Sequence, residues 1–227
     1  MTDAPVTEPA YPVQFSVDYP DRDLDRLTTA FRIFTIIPIA IVLALISGGV
    51  GGPPGGWGGG WDGDGGDGRG FGLAFAGGSG VLFFAPLVMI LFRQKYPRWW
   101  FDWNLNFVRF ENRVIAYLAL LRDEYPSTDE EQAVRVDFPY PDARNDLNRW
   151  LPLVKWLLAI PHYIVLFFLA IATVVVVIIA WFAILFTGRY PQGLFDFVVG
   201  VIRWGTRVQG YAFVLITDRY PPFGLNP

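Results

Sequence analysis

One stretch of this sequence limits the fold more than any other: Leu151 to Thr187, 37 residues in which Lys155 is the one charged side chain. As a single helix at 1.5 Å per residue it would reach roughly 55 Å, against roughly 30 Å of bilayer hydrocarbon. It is therefore expected to fold back as two spans, about 151–169 and 173–187, with a tight turn near Ala170 to Thr173. Two further apolar runs precede it, about 27–46 (LTTAFRIFTIIPIAIVLALI) and about 71–92 (FGLAFAGGSGVLFFAPLVMILF). The composition agrees, because 53% of the chain is apolar and 17% charged, where a soluble domain carries about a quarter charged residues. The expected fold is mainly α and integral to the membrane, with four transmembrane helices.

The charges assign the sides. Of 18 Lys and Arg, only Arg69 falls in the Gly-rich loop of about 47–80, so the positive-inside rule places both termini and the 93–150 segment in the cytoplasm. Met1 to Ala10 is polar, contains Pro and carries Asp3 and Glu8. A cleaved export signal would have a basic start and an apolar core there. The expected location is a membrane crossed several times, with both termini cytoplasmic.

The chain also resembles itself. VQFSVDYPD with DLDRL (Val13 to Leu27) matches VRVDFPYPD with DLNRW (Val134 to Trp150), and Arg26, Arg32 and Pro38 stand opposite Arg149, Lys155 and Pro161 at a constant offset of 123. RQKYP (Arg93 to Pro97) and TGRYP (Thr187 to Pro191) follow at an offset of 94, as do Arg109, Arg113 and Tyr117 against Arg203, Arg207 and Tyr211. Both halves close on Asp-x-Tyr-Pro, at Asp123 and Asp218. Two tandem two-span repeats are expected: 1–126, an acidic linker 127–133, and 134–227.

Within each repeat the alternation at Val13, Phe15, Val17 and Tyr19, or at Val134, Val136, Phe138 and Tyr140, reads as a short half-buried strand. After the spans, Trp100, Trp103, Phe107, Phe110, Val114, Tyr117 and Leu121 recur at helical spacing, and Leu194 to Leu215 repeats the stripe. Flanked by Arg, such stripes suit cytoplasmic amphipathic helices at the headgroup level. The last stretch, YAFVLIT from Tyr211, is alternatively a strand joining a small cytoplasmic sheet.

The twice-occurring YPD, the run RWLPLVKWLLAIPHY (Arg149 to Tyr163), TGRYP and RWGTRVQGY (Arg203 to Tyr211) resemble the membrane-protein family called domain of unknown function 4389. The resemblance covers nearly the whole chain, more weakly across the Gly-rich loop. It implies a bacterial, actinobacterial inner-membrane protein and supplies no activity and no catalytic residue.

The chemistry-bearing residues are few. There is no Cys and one His, so thiol chemistry and His-rich metal sites have no material. No nucleophile elbow, P-loop or H-E-x-x-H occurs, and an enzyme is not expected. The loop holds a formal GxGxxG at Gly63, Gly65 and Gly68, but Asp62, Asp64 and Asp67 give it the wrong charge for phosphate. Those aspartates are a weak calcium candidate, since Leu73 occupies the position of a bidentate Glu.

His162, inside an apolar run, is an intramembrane polar candidate, best satisfied by a hydrogen bond to a neighbouring helix. Arg109, Arg113, Arg203 and Arg207 suit lipid phosphate or a partner; ion pairs with Asp102, Asp196, Glu111 or the closing aspartates are the alternative.

The expected function is an accessory or scaffold subunit. It would engage membrane lipids and another membrane protein or itself, with no nucleic acid and no cofactor. The alternatives are a small transporter or channel at the repeat interface and a lipid-modifying enzyme using His162 or the arginines.

Overall fold

A computed structural model describes residues 11–46, 85–128 and 130–226. The Gly-rich loop and the calcium candidate Asp62, Asp64 and Asp67 lie outside them. In chain order the elements are β1 (Gln14–Val17), α1 (Arg26–Thr35), α2 (Ile37–Ile46), α3 (residues 85–93), α4 (Arg98–Leu118), β2 (Val134–Asp137), α5 (Pro152–Leu158), α6 (Ile160–Thr187) and α7 (Gln192–Gln209). A π-helical turn, Gly210–Val214, continues α7. The chain is mainly helical, as its apolar periodicities require.

The long apolar block is cut, but not where a hairpin would cut it. α6 runs unbroken through Ala170 to Thr173, so the expected turn between spans 151–169 and 173–187 is absent. The break is at Ala159, between α5 and α6, because Pro161 lacks the N–H that would continue the α5 ladder and is accepted only in a first helical turn. Beyond it the run Thr173 to Ile179 contains no Gly or Pro, and the Thr173 hydroxyl donates back to the Leu169 carbonyl at 2.8 Å, inside the helix. The first half is broken in the corresponding place: α1 and α2 meet at Ile36, just before Pro38, with a bend of 44°. At 28 residues, α6 is about 42 Å long.

Among the described residues α6 is the one helix long and apolar enough to cross a membrane, joined by α1 and α2 if that bent pair is counted as one segment. Only His162, Ala180 and Ile184 of α6 are buried. Its large side chains project on several sides, among them Phe167, Phe168, Val174, Ile178 and Phe182. A helix apolar all round belongs inside a large core or in lipid, and here it is mostly uncovered.

Strands β1 and β2 pair antiparallel as a two-stranded sheet, with Phe15 opposite Val136. The strand considered for YAFVLIT does not form. Between Tyr211 and Asp218 the second half has one residue more than the first has between Tyr117 and Asp123, and the π-turn absorbs it, as such turns do. Each stretch then reverses through a left-handed leucine, Leu120 (φ 64°) and Leu215 (φ 60°).

Packing is crossed between the halves, since β1 lies on α7 and β2 on α4. The Tyr19 hydroxyl donates to the Tyr190 carbonyl, and the Tyr140 hydroxyl donates to the Tyr96 carbonyl. Asn112 of α4 accepts from Thr206 of α7 at 2.9 Å, both buried. α4 separates two apolar clusters: Phe101, Leu105, Val108 and Ala116 join the main core, while Phe110, Val114 and Tyr117 meet Ile36, Ile39 and Leu43. The sequence stripe is therefore only one of two buried faces, and Trp103 within it is exposed. Near the C-terminus Gly200 is required by space, because a β-carbon there would stand 2.9 Å from the Leu225 carbonyl oxygen.

Candidate functional site

Two buried cations organise the interior. Asp25 caps α1, accepting from the Leu27 N–H at 2.8 Å. Two turns on, Arg32 is 2% exposed. Its guanidinium pairs with Asp123 and donates to the carbonyls of Tyr117 (3.1 Å) and Arg122 (3.0 Å), with Tyr117's ring 4.5 Å away. The other Asp123 oxygen accepts from the Asp25 N–H at 2.8 Å. One short helix is thus bonded to the loop that ends α4.

The second constellation has the same parts. Lys155 of α5 is wholly buried; its ammonium stands 2.7 Å from Asp218, donates to the Thr217 carbonyl at 2.7 Å, and lies 5.2 Å from the Tyr211 ring. Asp218 also accepts from the Asn148 N–H at 2.5 Å, and Asn148 accepts from the Trp150 N–H at 2.9 Å as Asp25 does from Leu27. Burying a charge is tolerable only when it is paired and its remaining donors are satisfied. Both sites pair the charge with a carboxylate, loop carbonyls and an aromatic face, while the Arg32 Nε–H is left buried without an acceptor.

Neither clasp was anticipated as a site. The signals were present in the sequence: Arg32 against Lys155 at one offset, and the recurring Asp-x-Tyr-Pro. Nothing local joins them, because Arg32 and Asp123 are 91 residues apart.

The four arginines singled out in the sequence stand as two pairs, Arg109 with Arg113 on α4 and Arg203 with Arg207 on α7, and they bond to backbone. Arg109 donates to the Val136 carbonyl (2.9 Å) and pairs with Asp137 (3.2 Å); Arg113 donates to the Ser127 carbonyl at 2.7 Å. Arg203 donates to the carbonyls of Phe15 (3.1 Å) and Leu225 (3.0 Å), and Arg207 to that of Asn226 (3.0 Å). Burial lowers the pKa of Arg203 and Arg207 somewhat from the ordinary guanidinium value. Each set fastens a strand and the segment that follows an Asp-x-Tyr-Pro closure. Of the acidic partners considered for them, Asp123 and Asp218 pair instead with Arg32 and Lys155, and Glu111 accepts from the Gln209 amide at 2.7 Å.

His162 sits at the start of α6, fully buried. Its Nδ1 accepts from the Trp204 indole N–H at 3.0 Å, and its ring stacks on Phe223 at 4.0 Å with Tyr220 at 4.8 Å. The hydrogen bond to a neighbouring helix expected from the sequence is thus in place, in an aromatic cage supplied by α7 and the C-terminal tail. Among the described residues no group of three or more His, Cys, Asp or Glu stands close enough to share a metal ion.

No curated protein and no solved structure matches the chain. The family described as Domain of unknown function (DUF4389) matches residues 150–224, a stretch that holds Lys155, His162, Arg203, Arg207 and Asp218 together. Over that segment the chain is similar to the DUF4389 family.

Proposed function

We propose that the protein is a membrane-embedded scaffold or accessory subunit. It is built as two tandem halves, is multi-pass, and keeps both termini on the cytoplasmic side of a bacterial membrane. The observation that carries this reading is the surface of α6: a helix of about 42 Å, apolar on every side, with three buried residues. In water such a surface would be a large aggregation hazard, whereas in lipid it costs nothing. α1, α2 and α3 complete the bilayer-facing surface. Tyr11 donates to the Arg219 carbonyl at 3.2 Å, which supports a common side for the two ends.

The polar groups support a holding role. Arg32 and Lys155 are each closed by internal acceptors, and the four arginines bind the chain's own carbonyls. Bilayer lipids are the constant partner, with another membrane protein or a second copy on the uncovered surface.

The test uses single cysteines, since the native chain has none. Phe168→Cys and Val174→Cys should resist aqueous maleimide in intact membranes and react after detergent extraction. Glu131→Cys and Asn226→Cys should react only from the cytoplasmic side. Rapid labelling of Phe168→Cys in membranes would sink the reading. Extraction in mild detergent should bring a stoichiometric partner or tightly held lipid; a lipid-free monomer would remove the scaffold part.

A further inference from the structure

A cleft of about 610 Å3 lies where α3 ends, lined by Met89, Arg93, Lys95, Arg98, Tyr140 and Arg144 among others. Four exposed cations share it with one carboxylate, Asp142. That carboxylate is already engaged by the Arg144 N–H (3.0 Å) and the Asn145 amide (2.8 Å), which hold its pKa below the usual range. Among the described residues none of the four cations forms an ion pair; Arg98 stands over the Tyr140 ring at 5.4 Å.

The other half shows the same corner with a different charge. The segments 93–98 and 140–144 correspond to 187–192 and 19–23, and the framing contact is the same, a tyrosine hydroxyl donating to a tyrosine carbonyl. There Arg93, Lys95, Arg98 and Arg144 become Thr187, Arg189, Gln192 and Asp23. Asp23 pairs with Arg189 at 2.8 Å, and with Arg22 and Asp21 the corner holds two charges of each sign. The fold therefore tolerates a neutral corner, so four cations in the first half are not a structural requirement. The turn itself is shared, left-handed at Gln94 (φ 47°) and at its counterpart Gly188 (φ 77°).

We infer that this cleft binds the phosphate of an anionic phospholipid headgroup. Guanidinium and ammonium groups converging on one pocket suit a phosphate ester. The lipid source is favoured over a soluble phosphate because Phe92 and Trp99 beside the cleft are exposed. So is Trp150, whose neighbour Arg149 donates to the Leu91 carbonyl. Aromatics in that position mark the headgroup level of a bilayer. The inference rests on the membrane-embedded reading above.

The test is binding of a fluorescent short-chain phosphatidylglycerol to the full chain in neutral detergent, with phosphatidylcholine as reference. Wild type should bind the anionic lipid saturably. Neutralising Arg93 or Arg98 with Gln should weaken binding about fivefold each, and Arg144→Asp should weaken it at least about tenfold, because the new carboxylate both removes a cation and pairs with Lys95. Arg189→Gln in the other half should leave binding unchanged. Arg98→Gln, on an exposed side chain, serves as the readout should Arg144→Asp fail to fold.

Equal binding by wild type, Arg98→Gln and Arg144→Asp would overturn the cleft while leaving the membrane reading intact. Displacement of the lipid by millimolar inorganic phosphate would overturn the lipid assignment in favour of a soluble phosphate. Recovery of the unextracted protein in the soluble fraction would instead remove the membrane reading itself.

Discussion

The two buried clasps differ in one side chain, and the difference shows what each half needs from its cation. Arg32 reaches two carbonyls, those of Tyr117 at the end of α4 and Arg122 in the loop, besides Asp123. Lys155 reaches one loop carbonyl, Thr217, besides Asp218. An ammonium is a point donor and a guanidinium is a fork. In the first half the fork joins helix end and loop. The backbone closes both ends, the Leu121 N–H reaching the Ala116 carbonyl at 3.0 Å in the first half and the Ile216 N–H the Gly210 carbonyl at 3.1 Å through the π-turn of the second. What sets the first half apart is the fork's added bond to the Tyr117 carbonyl.

Removing the cations is the severest way to break this comparison. Arg32→Met should cost about 3–5 kcal/mol, because Asp123 is left without its counter-charge among buried groups, and Lys155→Met should fall at the lower end of that range. Thermal or denaturant unfolding in one detergent would read both. A loss under about 1 kcal/mol for either would show the clasp to be incidental.

Next comes the asymmetry at His162, whose counterpart is Ile39 in a purely apolar cluster. His162→Ile should cost about 1–3 kcal/mol, since the Trp204 indole N–H loses its acceptor in a buried cage. Unchanged unfolding, or a Trp204 fluorescence that does not shift, would place that bond outside the stability balance.

Arg32→Lys sharpens the fork argument directly. It should cost about 1.5 kcal/mol through loss of one charge-assisted carbonyl bond. If the variant matched wild type in unfolding, the Tyr117 carbonyl contact would have no energetic weight.

The smallest effect is a pH trend at Glu111. Burial raises its pKa above the ordinary 4.5, against the hydrogen bond from Gln209. A carboxyl with a raised folded-state value binds its proton more tightly when folded, so its contribution is present at low pH and lost as pH rises through that raised value. Glu111→Gln should therefore gain stability relative to wild type as pH rises above about 4.5. Parallel stability curves from pH 4 to pH 8 would remove Glu111 from the account.

Much of the frame could be read from the sequence because it is local. Period-2 alternation located β1 and β2, and the helical stripe located α4 and α7. The one turn that failed, at Ala170 to Thr173, was weighed against the wrong local signal. The bilayer thickness argued for a turn at Ala170 to Thr173, but helix continuity is decided by backbone chemistry, and Pro161 is the residue that interrupts it. The arginines were read by their charge and spacing. Their acceptors are carbonyls at Val136, Phe15, Leu225 and Asn226, and a carbonyl leaves no trace in a sequence. The clasps needed contacts across most of a repeat, which recurrence alone hinted at.

The carbonyls held by Arg109 and Arg203 have one more consequence. Val136 and Phe15 are directly opposite each other in the sheet, and each gives its outward carbonyl to an arginine. A third strand arriving at either edge would need those oxygens as acceptors. Each edge therefore has one of its outward acceptors taken by a side chain of the same molecule. In the folded chain, the residues that hold the ribbon to its helices also make its edges poorer templates for another strand.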